Sequence, residues 1–457
     1  MEQATGLRAR ERVVVHVDST AARWISALAV LSLSCWLLLL HKDLAWSATI
    51  LSIVVLISRG IFLGRPVTAG HATVAMVVCI AGMAAVFLAF DVPGSVLLVA
   101  SAVLLMRPTS ARPNPADLPR IFTLVNETSG DPLAPFAMHA SKCFHFSADG
   151  TAAIAYRTRL GFAVVSGDPI GDETRYAALV RDFAEMCHAR GWRIAVLGCS
   201  ERRLSLWVNP AVVGRRLTPV PIGRDVVIDV ATFDMVGRKY RNLRQAVQRT
   251  KNFGITTEVV DEQSLPDHLL AELTDVILES PSGARTERGF SMALDGTLAG
   301  RYPGVALIIA RDKAGRVQGF HRYATVGGGT EVTLDVPWRR RGAPNGIDER
   351  LSVDMIANAR EQGAQHLSLA FAAFPDIFAD KHRTLLRSLV FAAVHLGDPL
   401  IALESLYRYL RKFHALGDQR YAMATLTQVV PLLIVLLSLE FLPRRRHVTS
   451  ASVLRAS

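Results

Sequence analysis

The sequence predicts an α/β protein in which a repeated strand–strand–turn–helix–strand unit follows an N-terminal region of transmembrane helices. The chain has 457 residues, of which 50% are hydrophobic, and a formal net charge of +11. Long apolar runs are concentrated in its first quarter. Later, the segments HARGWRIAVLGC (188–199) and REQGAQHLSLAF (360–371) share a helix end, a glycine and an alternating strand. A membrane part joined to a basic soluble part fits this length and composition.

Four apolar runs precede residue 107: Ile25–Leu40, Trp46–Leu63, Ala72–Phe90 and Pro93–Met106. A bilayer span takes about 20 residues, so the second and third runs are long enough, the first needs its neighbours and the fourth is short. Arginines precede the first run, separate the second from the third and follow the fourth, as the positive-inside rule requires. This predicts a multi-pass cell-membrane protein with about four helices in residues 1–106 and a cytoplasmic remainder.

Residues 107–119 contain four prolines and are predicted to form a linker. After it, one order of elements occurs twice. The first copy has strands at 152–156 and 162–166, a helix at 173–190 and a strand at 193–199. The second has strands at 305–310, 317–325 and 331–336, a helix at 347–362 and a strand at 366–371. Gly191 and Gly363 follow the two helices, where a positive φ is needed.

This order is that of a tandem N-acetyltransferase-like fold, although a chance α/β similarity stays an alternative. We expect a first half at 120–290, a second half at 291–443 and a basic polar tail at 444–457. The apolar run Thr425–Leu442 is expected to be buried or to lie at the membrane interface, because a fifth span would place Arg444–Arg446 outside.

The five cysteines are dispersed, without a C-x-x-C pair or a Cys/His cluster at metal spacing. The sequence therefore predicts no disulfide framework and no metal site. A reduced, cytosolic setting fits the soluble part.

The most basic soluble stretch is RKYRNLRQAVQRTK (238–251). Tyr240, Leu243 and Val247 form a narrow apolar stripe at helical spacing. Six basic residues and no acidic residue share the stretch: Arg238, Lys239, Arg241, Arg244, Arg249 and Lys251. This pattern predicts a phosphate-binding helix surface; the alternative is an ordinary solvated helix face.

A second candidate site is TLDVPWRRRGAPNGID (333–348), where a strand, three arginines and a Gly/Pro turn precede a helix. A helix N-terminus attracts anions. In acetyltransferases this position holds a pyrophosphate through Arg/Gln-x-x-Gly-x-Gly/Ala. Here Arg339 and Gly342 fit that pattern, but Pro344 removes a backbone donor. The stretch therefore favours a phosphorylated donor other than acetyl-CoA.

Four segments resemble the phosphatidylglycerol lysyltransferase family. They are KCFHFSADGTAAIAYRTRLGFAVVSGDPIGD (142–172), KYRN (239–242), Asp335 with Ala343-Pro344-Asn345-Gly346, and KFHALGDQRY (412–421). The resemblance implies that an aminoacyl group, lysyl or similar, moves from aminoacyl-tRNA to a glycerolipid headgroup, namely that of phosphatidylglycerol. Such a product would alter envelope charge and cationic peptide resistance. No cofactor and no metal are implied, and the sequence leaves a homo-oligomer open.

The expected chemistry is attack of a lipid hydroxyl on an aminoacyl ester, which needs a base and a group that holds the oxyanion. The candidate catalytic residues are Asp335, Arg339 and Arg341. Asp335 is the candidate base or amine anchor; alternatively, its carboxylate closes the turn or neutralises the arginines. The candidate substrate-binding residues are Lys239, Arg241, Arg244, Asp168, Arg420 and Tyr421. For Asp168, helix capping or turn formation is the alternative.

The chain departs from the family pattern at Trp338, where the family has arginine, and at three positions of the closing segment: Ala415, Gly417 and Gln419. Two other functions therefore stay open. One is an N-acyltransferase of the same fold that uses an acyl-CoA or a peptidoglycan precursor. The other is a catalytically inactive membrane scaffold. Four spans are too few for the flippase domain of larger family members.

Overall fold

The computed structural model describes residues 13–15, 20–40, 44–280, 286–287, 290, 293–373, 406–440 and 444–445. Its N-terminal part contains four helices: α1 Thr20–Leu40, α2 Leu44–Phe62, α3 Ala69–Phe87 and α4 Asp91–Leu105. Segments Ala45–Phe62 and Ala69–Phe87 are long and apolar enough to cross a membrane, whereas Trp24–Trp36 and α4 are shorter apolar helices. All four predicted helices are present, and two segments, one in α2 and one forming α3, satisfy length and composition together.

The rest of the described chain is built around one twelve-stranded sheet. Its strands are β1 Cys143–Phe146, β2 Ala152–Arg159, β3 Phe162–Ser166, β4 Ile170–Gly171, β5 Arg193–Ser200, β6 Thr218–Asp229, β7 Thr256–Asp261, β8 Val305–Arg311, β9 Val317–Val326, β10 Glu331–Arg339, β11 His366–Ala373 and β12 Leu416–Ala424. The order across the sheet is β1-β2-β3-β5-β12-β6-β11-β10-β9-β8-β7, and β4 pairs with β2.

After residue 107, eight helices have both ends within the described residues. They are α5 Leu118–Glu127, α6 Tyr176–Ala189, α7 Leu204–Val208, α8 Pro210–Val213, α9 Arg241–Asn252, α10 Asp267–Glu279, α11 Ile347–Glu361 and α12 Val429–Glu440. Residues 406–410 are also helical, and Thr286–Glu287 pairs with Arg444–Arg445 outside the main sheet. Most of the predicted tail at 444–457 lies outside the described residues.

The predicted repeat is confirmed. In each copy three antiparallel strands lead through a helix to a strand parallel to the third: β3 with β5 across α6, and β10 with β11 across α11. Gly191 and Gly363 end the two helices with φ of +64° and +81°. A residue with a Cβ would be strained at both positions.

The two copies are interlocked rather than consecutive. Strand β12 lies between β5 and β6, and β6 pairs with β11 of the second copy. Strand β7 pairs with β8, and α9 packs on α11. Residues 218–279 lie before the expected boundary at residue 290, but they belong largely to the sheet and helices of the second copy. The boundary therefore does not separate the two packed copies.

Helix α12 packs on one face of the first copy. Its Leu432, Val435 and Leu439 contact the β3 residues Phe162 and Val164. The other side of α12 exposes large apolar side chains: Val429, Val430, Leu433, Ile434 and Leu437. With 12 residues the helix is too short to span a bilayer. One side of the helix is therefore buried, as expected, and its position at the membrane interface stays a prediction.

Candidate functional site

Asp335 lies in a β-bulge between β9 and β10. Its neighbours Leu334 and Val336 face Tyr323 and Arg322, which leaves Asp335 as the extra residue. The bulge directs its carboxylate into the protein. Oδ2 accepts a 2.9 Å bond from Arg322 Nη1, and Oδ1 accepts a 2.9 Å bond from the N–H of Leu294.

Arg322 joins Asp335 to a second carboxylate. Its Nη2 lies 2.8 Å from Glu262 Oε2, and all three side chains are fully enclosed. Burial raises the pKa of Asp335 to about 6, although Arg322 and the Leu294 N–H act to lower it. Burial would lower the pKa of Arg322, but Asp335 and Glu262 raise it above its ordinary value. Asp335 thus neutralises Arg322 rather than Arg339–Arg341, and its assignment as the base stays a prediction.

The three consecutive arginines after β10 have different surroundings. Arg339 is about half exposed and its Nη1 lies 3.3 Å from Asp348 Oδ2. Arg340 is buried, donates from Nε to the carbonyl of Val317 at 2.7 Å, and pairs with Glu279. Arg341 is exposed and forms no ion pair with any described residue. Of the three, Arg341 therefore has the guanidinium that is best placed to bind a ligand.

The N-terminus of α11 already carries carboxylates in its first turn. Asp348 Oδ1 lies 3.2 Å from His321 Nε2, and Glu349 pairs with Lys412. Burial pushes the pKa of Asp348 upward, but the bond and charge of His321 and the charge of Arg339 bring it below its usual value. These negative charges satisfy the helix dipole. The anion site at this helix N-terminus stays a prediction, and the two first-turn carboxylates act against it.

Helix α9 has the predicted two-sided character. Tyr240, Leu243 and Val247 are buried, as the apolar stripe predicted. The six basic residues are all exposed: Arg238, Lys239, Arg241, Arg244, Arg249 and Lys251. None of them forms an ion pair with a carboxylate in the part of the chain that the structure describes. Two of them also donate to backbone carbonyls: Arg244 to that of Gly237 before the helix at 2.7 Å, and Arg249 to that of Gln245 within the helix at 3.4 Å.

The turn that carries Arg341 packs against α9. Its last residue, Gly346, has a φ of +100°, and a Cβ built there would lie 2.7 Å from the carbonyl oxygen of Ala246. Only glycine allows this approach. On the other side, His414 Nε2 lies 3.0 Å from the carbonyl oxygen of Lys239. The fold thereby brings together two basic segments that are about a hundred residues apart in the sequence.

Arg420 and Asp168, both predicted to bind substrate, meet inside the protein. Arg420 is 1% exposed. Its Nε donates to Asp225 at 2.7 Å, its Nη2 to Asp131 at 2.6 Å and its Nη1 to Asp168 at 3.4 Å. A guanidinium enclosed by three carboxylates joins four distant segments of the chain. This contact set is structural, and direct substrate binding by either residue stays a prediction.

The surroundings of Asp168 also show that the alternative role considered for it, helix capping, is wrong. It does not cap α6; Oδ1 accepts a 3.0 Å bond from the N–H of Ser200, while Asp172 caps the short turn before α6. Burial raises the pKa of Asp168 and raises that of Asp225 to about 6, against the lowering effect of Arg420. Tyr421 points away from this cluster into the first copy, where its hydroxyl donates to Gln419 at 3.1 Å.

Sequence reasoning missed four buried partners: Glu262, Arg322, Asp131 and Asp225. The signal for two of them was partial: Arg322 and Asp225 lie in strands between apolar residues, and a buried charge needs an opposite charge. Among the described residues, no group of three or more His, Cys, Asp or Glu side chains is arranged to hold a metal ion.

The protein is thus an α/β protein with two copies of one structural unit, joined to N-terminal apolar helices. Helix α9 gives it an exposed cationic surface. The chain belongs to the phosphatidylglycerol lysyltransferase family: the family model for its C-terminal part matches residues 122–424. This confirms the family resemblance and makes the chain a transferase by family membership.

The comparisons with individual proteins agree with this assignment. The chain is 63% identical over 453 residues to the MprF-like domain protein Rv1619 of Mycobacterium tuberculosis, covering 96% of this chain and 94% of that protein. It is 31% identical to the lysylphosphatidylglycerol biosynthesis bifunctional protein LysX of Rhodococcus jostii, but the match covers 57% of this chain and only 23% of LysX.

Two solved structures show the same fold. The L-PGS structure of Bacillus licheniformis aligns with a TM-score of 0.60 at 21% identity, covering 72% of this chain and 96% of that chain. The C-terminal domain DUF2156 of an Agrobacterium fabrum protein also aligns with a TM-score of 0.60, at 22% identity, covering 73% of this chain and all of that chain.

Proposed function

We propose that this chain transfers an aminoacyl group, lysyl or similar, from aminoacyl-tRNA to the headgroup of phosphatidylglycerol. The observation that carries the proposal is the basic face of α9 beside the Arg341 turn: it is exposed, and its basic side chains form no ion pair with a described carboxylate. Arginine and lysine contacts to phosphates bind RNA without reading its sequence. The family name and the lysylphosphatidylglycerol function in the name of LysX support the lipid product.

The reaction needs no activation of the donor, because the aminoacyl group is already an ester of the tRNA ribose. A lipid hydroxyl attacks the carbonyl carbon, and the bond from that carbon to the ribose oxygen breaks. The ribose oxygen receives the proton that the lipid hydroxyl loses. We assign stabilisation of the oxyanion to Arg341, with Arg339 as the second cation. Lys239, Arg241 and Arg244 bind the tRNA backbone, together with the other exposed basic residues of this surface: Arg238, Arg249 and Lys251.

The membrane location is part of the proposal. The segments Ala45–Phe62 and Ala69–Phe87 would anchor the chain, and the arginine distribution predicts a cytoplasmic transferase region where charged tRNA is present. In this arrangement the acceptor lipid comes from the inner leaflet. The added positive charge would lower the negative charge of the envelope and thereby reduce the binding of cationic peptides.

Expression in a host that lacks aminoacylated lipids should produce a new ninhydrin-positive phospholipid. In membranes prepared from that host, its formation should require lysyl-tRNA or another aminoacyl-tRNA and should stop after RNase treatment. Mass spectrometry of the lipid extract identifies the amino acid. A product that depends on acyl-CoA would instead support the N-acyltransferase function, and the absence of any product would contradict transfer.

A specific observation favours a non-catalytic scaffold as the second candidate. Trp338, at the position where the family pattern has arginine, is 7% exposed and packs with Leu269, Leu273 and Phe320. A core side chain has thus replaced a charged one. The lipid extracts described above distinguish the two functions.

Asp335→Asn should lower kcat about tenfold, because an uncharged partner weakens one charge-assisted bond to Arg322. We propose that Asp335 is a positioning residue that acts through Arg322, since the described contacts enclose its carboxylate. The KM for aminoacyl-tRNA should be unchanged, whereas the Tm should fall because a buried ion pair loses one of its charges. In the wild type, kcat should fall as the pH drops below about 6, where Asp335 takes up a proton; the variant should lack this dependence.

The size of the loss tests the role of Asp335. Removal of a general base costs about 100-fold or more, so a loss of that size would assign Asp335 to proton transfer instead. An unchanged kcat would exclude both roles. Because Arg322 keeps Glu262 as a partner in the variant, the protein should stay folded.

A further inference from the structure

A cavity of about 260 Å³ lies where the two copies of the repeat meet, beside the cluster around Arg420. Its walls come from the end of β5, the first half of β12, the second half of β6, the starts of β10 and β11, and the loop after α5. Drug-sized ligands usually occupy about 300–1,000 Å³, so this cavity suits a smaller molecule.

The cavity is separate from the turn that carries Arg341. Glu331, which lines the cavity, begins β10, and Arg339 ends that strand just before the turn. A strand rises about 3.3 Å per residue, so these two positions are about 25 Å apart. A ligand in the cavity therefore does not occupy the region to which we assign the transfer step.

Two of the residues that line the cavity have a buried polar atom without a partner. Asp225 is 4% exposed; its Oδ2 accepts a bond from Arg420, but its Oδ1 has no hydrogen-bond partner among the described residues. Ser200 is 3% exposed, and its Oγ likewise has no partner in the part of the chain that the structure describes. Because buried polar groups are normally hydrogen-bonded, these two oxygens indicate a ligand with hydrogen-bond donors.

The geometry of β6 directs the Asp225 side chain toward the cavity. Val226 and Ile228 face the core of the second copy, whereas Asp225 and Val227 alternate with them and both line the cavity. On β12, a Cβ built at Gly417 would lie 3.9 Å from the Cβ of Asp225. A larger side chain at this position would occupy the space beside Asp225, which the glycine leaves open. Gly417 is one of the positions at which the chain departs from the family pattern, so the departure and the cavity coincide.

The carboxylate of Asp225 is only partly neutralised. Its cation, Arg420, is shared with Asp131 and Asp168, so one guanidinium serves three carboxylates. A cationic donor therefore suits Oδ1 better than a neutral donor does. A protonated amine could also bond to the Ser200 hydroxyl, because an ammonium group has three donors.

Two exposed charges also line the cavity. Arg202 donates to the carbonyl of Gly130 but forms no ion pair with a carboxylate in the described part of the chain. Asp418 is exposed, and no cation among the described residues pairs with it. Glu331 and His366 differ, because they bond to each other at 3.0 Å. A ligand that has a carboxylate for Arg202 and a second ammonium group for Asp418 would use both exposed charges.

We propose that this cavity binds a free basic amino acid of the lysine type. Its α-ammonium group bonds to Asp225 Oδ1 and Ser200 Oγ, its carboxylate binds Arg202, and its side-chain ammonium group lies near Asp418. The ligand is bound without a chemical step, and the inference does not depend on the proposed transfer activity.

Isothermal titration calorimetry of the full chain in neutral detergent tests the site with L-lysine in the absence of tRNA. Ser200→Ala should weaken the affinity at least about tenfold, because a hydrogen bond to a charged group is lost. Its Tm should not fall, since the hydroxyl has no partner among the described residues. The matched control Ser205→Ala removes an exposed hydroxyl of α7 outside the cavity and should bind as the wild type does.

Gly417→Val should abolish measurable binding of L-lysine, because the added side chain fills the space beside Asp225. The φ of Gly417 is not positive, and β-branched residues are favoured in strands, so the Tm should not fall. An unchanged Tm excludes misfolding as the cause of lost binding.

L-Lysine methyl ester distinguishes a free amino acid from an aminoacyl ester. Wild-type protein should bind the ester about tenfold more weakly than L-lysine, because the ester lacks the carboxylate for Arg202. The variant R202Q should remove this difference. Tighter binding of the ester than of L-lysine would instead assign the cavity to the aminoacyl group of the tRNA.

Two further results would overturn the proposal. If the wild type binds neither L-lysine nor its ester, the two buried oxygens serve only to hold water. If Ser200→Ala binds L-lysine as tightly as the wild type does, or if Gly417→Val retains binding, the amino acid binds elsewhere on the protein.

Discussion

The triple variant R238Q/R241Q/R249Q is expected to weaken aminoacyl-tRNA binding at least about 100-fold, because each lost phosphate contact costs about tenfold. These three side chains lie on α9 and its preceding turn, and all are exposed. Arg244 is left intact because its bonds to backbone carbonyls hold the segment before the helix. Filter binding with labelled tRNA measures the dissociation constant, and the lipid product of the same samples should fall in parallel.

Salt dependence separates this mechanism from misfolding. Each phosphate contact contributes about −0.7 to −0.9 to the slope of log K against log salt concentration, so the triple variant should lose about 2 to 3 from that slope. The matched control R112Q/K313Q/R316Q removes the same charge from exposed positions elsewhere. Unchanged tRNA affinity in the α9 variant, or an equal loss in the control, would contradict the role of this surface.

Arg420→Met is expected to lower the free energy of unfolding by about 3–5 kcal/mol or more, the range found when one partner of a buried ion pair is removed. The substitution leaves Asp131, Asp168 and Asp225 enclosed without their shared cation. Urea unfolding of the full chain in detergent, followed by tryptophan fluorescence, measures the loss. Arg224→Met is the matched control, because Arg224 lies on the adjacent strand and makes one 3.4 Å bond to the carbonyl of Gly417.

The stability deficit of Arg420→Met should shrink as the pH falls from 7 to 5. In the wild type the pKa of Asp225 is already about 6, above its ordinary value, because of burial. Without Arg420 the pKa values of the buried aspartates rise further. The folded variant then binds more protons than the unfolded chain in this range, so its stability increases as the pH falls. A deficit that is constant with pH, or no larger than that of Arg224→Met, would show that the carboxylates are not held by Arg420.

The repeat could be predicted from the sequence because its signals are local. The glycines at 191 and 363 and the alternating strands after them need only a few neighbouring residues to be recognised. The positions of β6 and β12 in the sheet, where β12 lies between β5 and β6, could not be predicted in this way. Both strands alternate like any half-buried strand, and their neighbours in the sheet are decided by contacts between residues about two hundred positions apart.

The candidate site shows the same division. The apolar stripe and basic face of α9 follow from helical spacing, so their positions agree with the prediction. The burial and ion pairs of Asp335 and Arg420 depend instead on which charged residues the fold places beside them. Arg322 reaches Asp335 because a bulge turns one residue inward, and no local pattern around Asp335 encodes that bulge.

The position of β12 has a consequence for how the protein is made. Strands β5 and β6 leave the ribosome about two hundred residues before residue 416, the start of the strand that separates them. Until then each has an open edge, which is a template for pairing with another chain. Closing a loop of this length also slows folding. Any chain that stops before residue 416 would therefore carry a gap in the middle of its sheet, and nascent protein should need chaperone protection until synthesis is almost complete.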